Sequence, residues 1–210
     1  MMINVLLITF LITLFYVAIA NRLLTYIKVL AFQGVLLFVV SFIQLNEINT
    51  INLILILMET IFFKSIAMPL FLAYILKRNK ITREAEPYLS NFVSLIIVTI
   101  ISVITILLVN SIKDTHLDKI FFVVALTALF TGIYFIVSRR KIITHLMGYL
   151  IVENGVFILS LAVGNEMTML VNIGIMMDIF VSVLVLGIFL NRIGDTFEAM
   201  SVDNLTNLKD

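Results

Sequence analysis

Residues 145–192 read HLMGYLIVENGVFILSLAVG, then NEM, then TMLVNIGIMMDIFVSVLVLGIFLNR. Each of the two long runs is close to the 20 or so apolar residues that a helix needs to cross a bilayer. Each also carries one acid near its middle, Glu153 in the first and Asp178 in the second. An ionisable side chain at the bilayer centre costs roughly 2.5–3.5 kcal/mol on insertion scales. Two acids at that depth imply a use for them, or a partner that neutralises them.

The rest of the chain has the same character. Of 210 residues, 62% are hydrophobic and only 13% charged. Soluble domains are about half apolar and a quarter charged, so the composition describes an all-α, polytopic membrane protein. A net charge of +1 and no basic patch with interleaved aromatics exclude a nucleic-acid surface. Without cysteine there is no disulfide, thiol nucleophile or iron–sulfur ligand. His116 and His145 are too few and too far apart for a metal cluster, so no cofactor is expected.

Seven spans are expected, at about 2–20, 28–45, 51–76, 91–112, 119–138, 142–163 and 168–190. Ala18-Ile19-Ala20 has the small-x-small form of a signal cleavage site. No Lys or Arg precedes the first apolar run, however, and Arg22 follows it, so the run reads as a retained span. Basic residues gather in alternate connections: Arg22 and Lys28, then Lys77, Arg78, Lys80 and Arg83, then Arg139, Arg140 and Lys141, and finally Arg192 and Lys209. The opposite connections hold only Lys113 and Lys119, beside Glu47, Asp114, Asp118 and Glu166. The positive-inside rule then puts the N-terminus outside and the C-terminus in the cytoplasm.

The spans carry an internal repeat. LFYVAIANR at the end of span one matches GIYFIVSRR at the end of span five. Gln33-Gly34-Val35 matches Asn154-Gly155-Val156, and Met58-Glu59-Thr60-Ile61-Phe62 resembles Met177-Asp178-Ile179-Phe180. Spans one and five cross in one direction, so the repeat is parallel. The expected units are a three-helix repeat over 1–78, a loop and connecting helix over 79–118, a second three-helix repeat over 119–193, and a tail over 194–210.

Six residues are candidates for moving ions through the membrane. Glu153 shares a helical stripe with His145, Tyr149 and Ser160. Asp178 has Gly174 and Ser182 four residues to either side, which lets another helix approach closely. Glu59 and Lys64 lie in span three with Pro69. Five residues are about 140° around an α-helix, so these two are expected to meet different helices. Pro69 is expected to bend its helix near Ser65. A neighbouring acid keeps a buried Lys charged, which makes a Glu–Lys series a proton relay by its chemistry. The plain alternative for each acid is a static partner to a charge on a neighbouring helix or subunit. Thr127, Thr131, Tyr134 and Ser138 in span five, and Gln33, Ser41 and Gln44 in span two, read as joints between helices.

Two resemblances follow from these residues. The last three spans resemble the K subunit of respiratory complex I, with Glu153 and Asp178 at its mid-membrane acids and Asp in place of the usual Glu. Over essentially its full length the chain resembles the E component of hydrogenase-4 and formate hydrogenlyase-type complexes. EPYLS (86–90), GYLIVENGVF (148–157), MMDIFVSVLVLGIF (176–189) and FEAMSVDNLTNLKD (197–210) carry that likeness. The resemblance implies a non-catalytic membrane subunit linking antiporter-like subunits to a peripheral hydrogenase-like arm, with a share of a proton or sodium path. Two other readings stand beside it: a free-standing transporter or channel for a small cation, and a structural scaffold. A transporter leads one to expect helices broken by Gly or Pro around a substrate, and only Pro69 interrupts a span.

In the tail, Phe197, Met200, Leu205 and Leu208 make an apolar stripe too small to insert into a bilayer, which suits a protein surface. Deleting 197–210 should leave membrane insertion intact and weaken the hold on a partner. Co-purification of a complete, fully active complex with the truncated chain would refute the docking role.

Overall fold

The computed structural model describes residues 2–44, 59–78, 87–112, 118–163 and Gly187. Six helices among them are long and apolar enough to cross a membrane. These are α1 (Met2–Ile19), α2 (Leu23–Gln44), α3, α4 (Asn91–Ser111), α5 (Lys119–Ser138) and α6 (Ile142–Val163). α3 starts as a π-helix over Glu59–Ala67 and continues as an α-helix over Met68–Arg78. At 1.5 Å per residue the 18 residues of α1 span roughly 27 Å, close to the thickness of a hydrocarbon core. The seventh expected span, 168–190, lies outside the described residues apart from Gly187, and so does the tail.

Two of the expected features take a different form. α2 begins at Leu23 rather than near residue 28, so Lys28 is an exposed helical residue and not part of a loop. No Gly or Pro interrupts 23–28, and a long Lys stem can follow an apolar surface while its ammonium stays in a polar layer. The break near Pro69 is not a simple bend. Proline has no N–H to give the residue 65 carbonyl and its ring crowds that carbonyl. The preceding turns widen to i→i+5 bonding instead.

Local chemistry sets the helix ends. Asp118 caps α5, its Oδ1 accepting from Ile120 N at 3.1 Å and Phe121 N at 3.4 Å. Ser90 caps α4 by accepting from Val93 N at 3.4 Å. These bonds satisfy amide groups that no helical carbonyl can reach.

Short connections make α1–α2 and α5–α6 into antiparallel pairs. Their turns lie at the same end of the bundle. Tyr88 N donates to Ser138 O at 3.0 Å, Arg139 Nη2 donates to Ala18 O at 3.3 Å, and Asn91 Nδ2 donates to Asn21 Oδ1 at 2.9 Å. At the opposite end Asp118 N reaches Ala162 O at 3.3 Å. Arg139, read in the sequence as a loop charge, is buried. Its guanidinium carbon lies 5.7 Å from the Tyr26 ring centre and 5.3 Å from that of Phe135, whose π faces attract a cation.

Among the described helices, α5 and α6 share the most extensive contact. A Cβ built on Gly155 would stand 2.8 Å from Leu129 N and 3.1 Å from Ala125 O. Between lipid-embedded helices there is little hydrophobic drive, so close backbone approach at small residues supplies the attraction. Hydroxyls add joints where the sequence places them: Thr105 and Thr127 pair at 2.8 Å, and Tyr134 OH donates to Ser94 Oγ at 2.8 Å. Gly155→Val must push α6 off α5. It should lower stability by about 1–3 kcal/mol or more, the range for overpacked interiors. Denaturant unfolding of the full chain in mild detergent, with Gly155→Ala as the smaller step, checks this.

Candidate functional site

Lys64 and Glu153 meet between α3 and α6, buried from solvent. Lys64 comes from the π-helical part of α3 and Glu153 from the middle of α6, and Lys64 Nζ forms an ion pair with Glu153 Oε1. Both residues are 8% exposed. The Phe157 ring, one turn along α6 from Glu153, sits with its centre 4.3 Å from Nζ. The ammonium therefore has a carboxylate on one side and an aromatic face on another, both attractive to a cation.

α2 sets the position of the lysine. Gly34 presses against the π-helix so closely that a Cβ there would lie 2.7 Å from Ser65 N and 2.8 Å from Lys64 C. Ser65 Oγ donates to Ala31 O at 3.2 Å across the same contact. α6 is tied to the same helix: Asn154, beside Glu153 in sequence, donates from Nδ2 to Gln33 Oε1 at 3.1 Å. Gln33 Nε2 in turn donates to Thr13 Oγ1 at 2.8 Å, and Thr13 Oγ1 donates to Phe10 O at 2.6 Å. A line of buried hydrogen bonds thus runs from α6 through α2 to α1, starting one residue from the ion pair. Asn154 Oδ1 is the exception, buried without a hydrogen-bond partner.

The other candidates are distributed unevenly around this centre. His145 lies two turns down α6 from Glu153, roughly 12 Å along the axis. Its Nε2 is 2.7 Å from the Arg139 carbonyl at the α5–α6 turn. Tyr149 is half-buried between the two levels and packs against the apolar core. Ser160 turns its hydroxyl back to Phe157 O at 2.7 Å and so does not extend the polar stripe. The backbone at Glu59 begins the π-helix, while its side chain and all of Asp178 lie outside the described residues. Among the described candidates, Lys64 and Glu153 are the two brought into contact. Thr13 belongs to the polar line and was not anticipated; a lone Thr in an apolar helix gives no signal until its partner is known. Among the described residues no three His, Asp or Glu side chains come together as metal ligands do.

Each charge is supported by the other, as two ionised groups buried among apolar side chains require.

Comparison with known proteins bears out one of the two resemblances. The chain is 35% identical over 86 residues to hydrogenase-4 component E of Escherichia coli K12, and equally to those of Escherichia coli O157:H7 and Shigella flexneri. The match takes in 41% of this chain and 40% of each relative. No family model matches, and no solved structure does.

Removing one member of a buried ion pair costs about 3–5 kcal/mol, whereas replacing both by apolar groups is near neutral. Glu153→Leu and Lys64→Met should each destabilise the chain by an amount in that range, and the double substitution by much less. Unfolding of the four proteins in the same detergent gives the coupling; additive losses would mean that the two charges do not depend on each other.

Proposed function

We propose that this chain is a non-catalytic membrane subunit of a hydrogenase-type, complex I-like redox assembly, and that the Lys64–Glu153 pair is part of its ion path. The observation that carries the reading is the buried pair itself, an acid and a base on different helices in a chain of apolar spans. Similarity to hydrogenase-4 component E supports the kind of assembly. In this reading Glu59 and Asp178 flank the pair, and His145 and Tyr149 lead toward it from the Arg139 end. The translocated ion is a proton, or sodium in its place. Antiporter-like membrane subunits lie on one side, and the tail reaches the peripheral hydrogenase-like arm. The chain sits in the cytoplasmic membrane with its N-terminus outside, which puts the basic α1–α2 and α5–α6 turns in the cytoplasm, as the positive-inside rule requires. The parallel repeat belongs to the same reading, and Gln33 and Asn154, positions that it matches, hydrogen-bond to one another.

A structural staple is the second reading, favoured by the way the neighbouring polar bonds simply join helices. One pair of variants separates the two. Glu153→Gln keeps size and a hydrogen-bond acceptor but cannot release a proton. It should abolish most redox-coupled ion transport in proteoliposomes while the complex still assembles. Glu153→Gln combined with Lys64→Met removes both charges and relieves the unpaired lysine. If the pair conducts, transport stays lost; recovery of transport in the double variant would leave the staple as the correct account.

A further inference from the structure

An open groove of about 450 Å³ runs between α1 and α2. Such a volume is within the range of small-molecule sites, about 300–1,000 Å³. Its chemistry changes along its length. Near the Ala20–Arg22 turn it is lined by Lys28, Thr25 and Tyr16; toward mid-helix its walls are Ile12, Val29 and Phe32, with Thr9 and Thr13, whose hydroxyls donate to the Val5 and Phe10 carbonyls of α1. Lys28 lies five residues into α2, roughly 7.5 Å from its start, and Phe32 about 6 Å deeper. The cation and hydroxyls therefore occupy the depth of a headgroup, and the apolar walls the depth of acyl chains.

We propose that this groove binds an anionic glycerophospholipid, its phosphate on Lys28 and Thr25 and one acyl chain along Ile12, Val29 and Phe32. Charge complementarity selects the anionic class. Lys28 is exposed and makes no ion pair among the described residues, and Arg22 is exposed at the same end. No Asp or Glu occurs before Glu47, so neither α1 nor α2 offers a carboxylate in competition. The walls face outward: Ile12 is 60% exposed, Tyr16 52% and Phe32 47%. Basic pockets between spanning helices are where lipid phosphates are held, each Lys adding about fivefold to the preference for an anionic headgroup. The groove lies apart from the ion pair in sequence and element, though Thr13 on its inner wall belongs to the hydrogen-bonded line that ends at Asn154.

The chain contains no Trp, so a single introduced Trp reports without background. Full-length Phe32→Trp would be reconstituted in bilayers containing phosphatidylglycerol or phosphatidylcholine with brominated acyl chains, which quench indole fluorescence on contact. Brominated phosphatidylglycerol should compete for the groove about fivefold better than brominated phosphatidylcholine, and Lys28→Gln should erase the difference. Ile12→Trp, on the opposite wall, should report the same preference. Ile100→Trp on the lipid-exposed side of α4, a helix without basic residues, should show none. Equal quenching by the two lipids at positions 12 and 32 would reduce the groove to ordinary boundary lipid. Lack of quenching by either would mean that protein fills it. Both outcomes overturn the proposal.

Discussion

An ammonium and a carboxylate held together inside an apolar bundle constrain what is built around them. Either charge alone is unfavourable at that depth by roughly 2.5–3.5 kcal/mol on insertion scales. Together they are tolerable only while α3 and α6 stay in contact at the level of Lys64 and Glu153. That requirement explains the neighbourhood. Phe157 closes over the ammonium, Gly34 lets α2 support the lysine backbone, and Asn154 fastens α6 to Gln33. Each of these contacts keeps one of the two charges from drifting out of reach of the other.

Elsewhere the bundle holds together by the means open to helices in lipid. Apolar side chains gain little by leaving lipid for another helix, so backbone proximity and hydrogen bonds between spans decide which helices touch. α5 and α6 use Gly155 against Leu129 and Ala125, while α4 and α5 use Thr105 with Thr127 and Ser94 with Tyr134. The buried Arg139 serves the end where the turns meet. It links α5 to the last turn of α1 through Ala18 O and rests between Tyr26 and Phe135.

What could be read in the sequence divides along the range of the interaction. A spanning helix is a local property of length and hydropathy, so α1, α4, α5 and α6 lie within a residue or so of where they were expected. Ser90 and Asp118 are likewise recognisable as caps from their own neighbourhoods. The helix-joining role expected of Thr127, Tyr134 and Gln33 follows from how few polar residues each apolar span contains. The identity of each partner does not, because Thr105, Ser94 and Asn154 are set by how helices are rotated against one another. The same holds for the choice of Glu153 as the partner of Lys64, which is a contact between chain positions far apart. Arg139 and Arg140 are adjacent and chemically identical, yet one is buried and the other exposed, and only the packing of α1 against α5 distinguishes them. The π-helix before Pro69 also escaped the sequence reading. A proline announces a fault in the bonding pattern without saying whether the chain will kink or widen.

The Gly34 contact has a mechanical meaning. Where backbone rests on backbone there is no side chain between the two helices to rearrange, so α2 opposes any inward shift of the π-helix directly. α6 is joined to these two by Gln33–Asn154 and Lys64–Glu153, bonds between side chains that can lengthen, tilt or be remade around water. The ion pair thus spans the boundary that side chains hold, while the helix that carries its lysine is braced backbone to backbone.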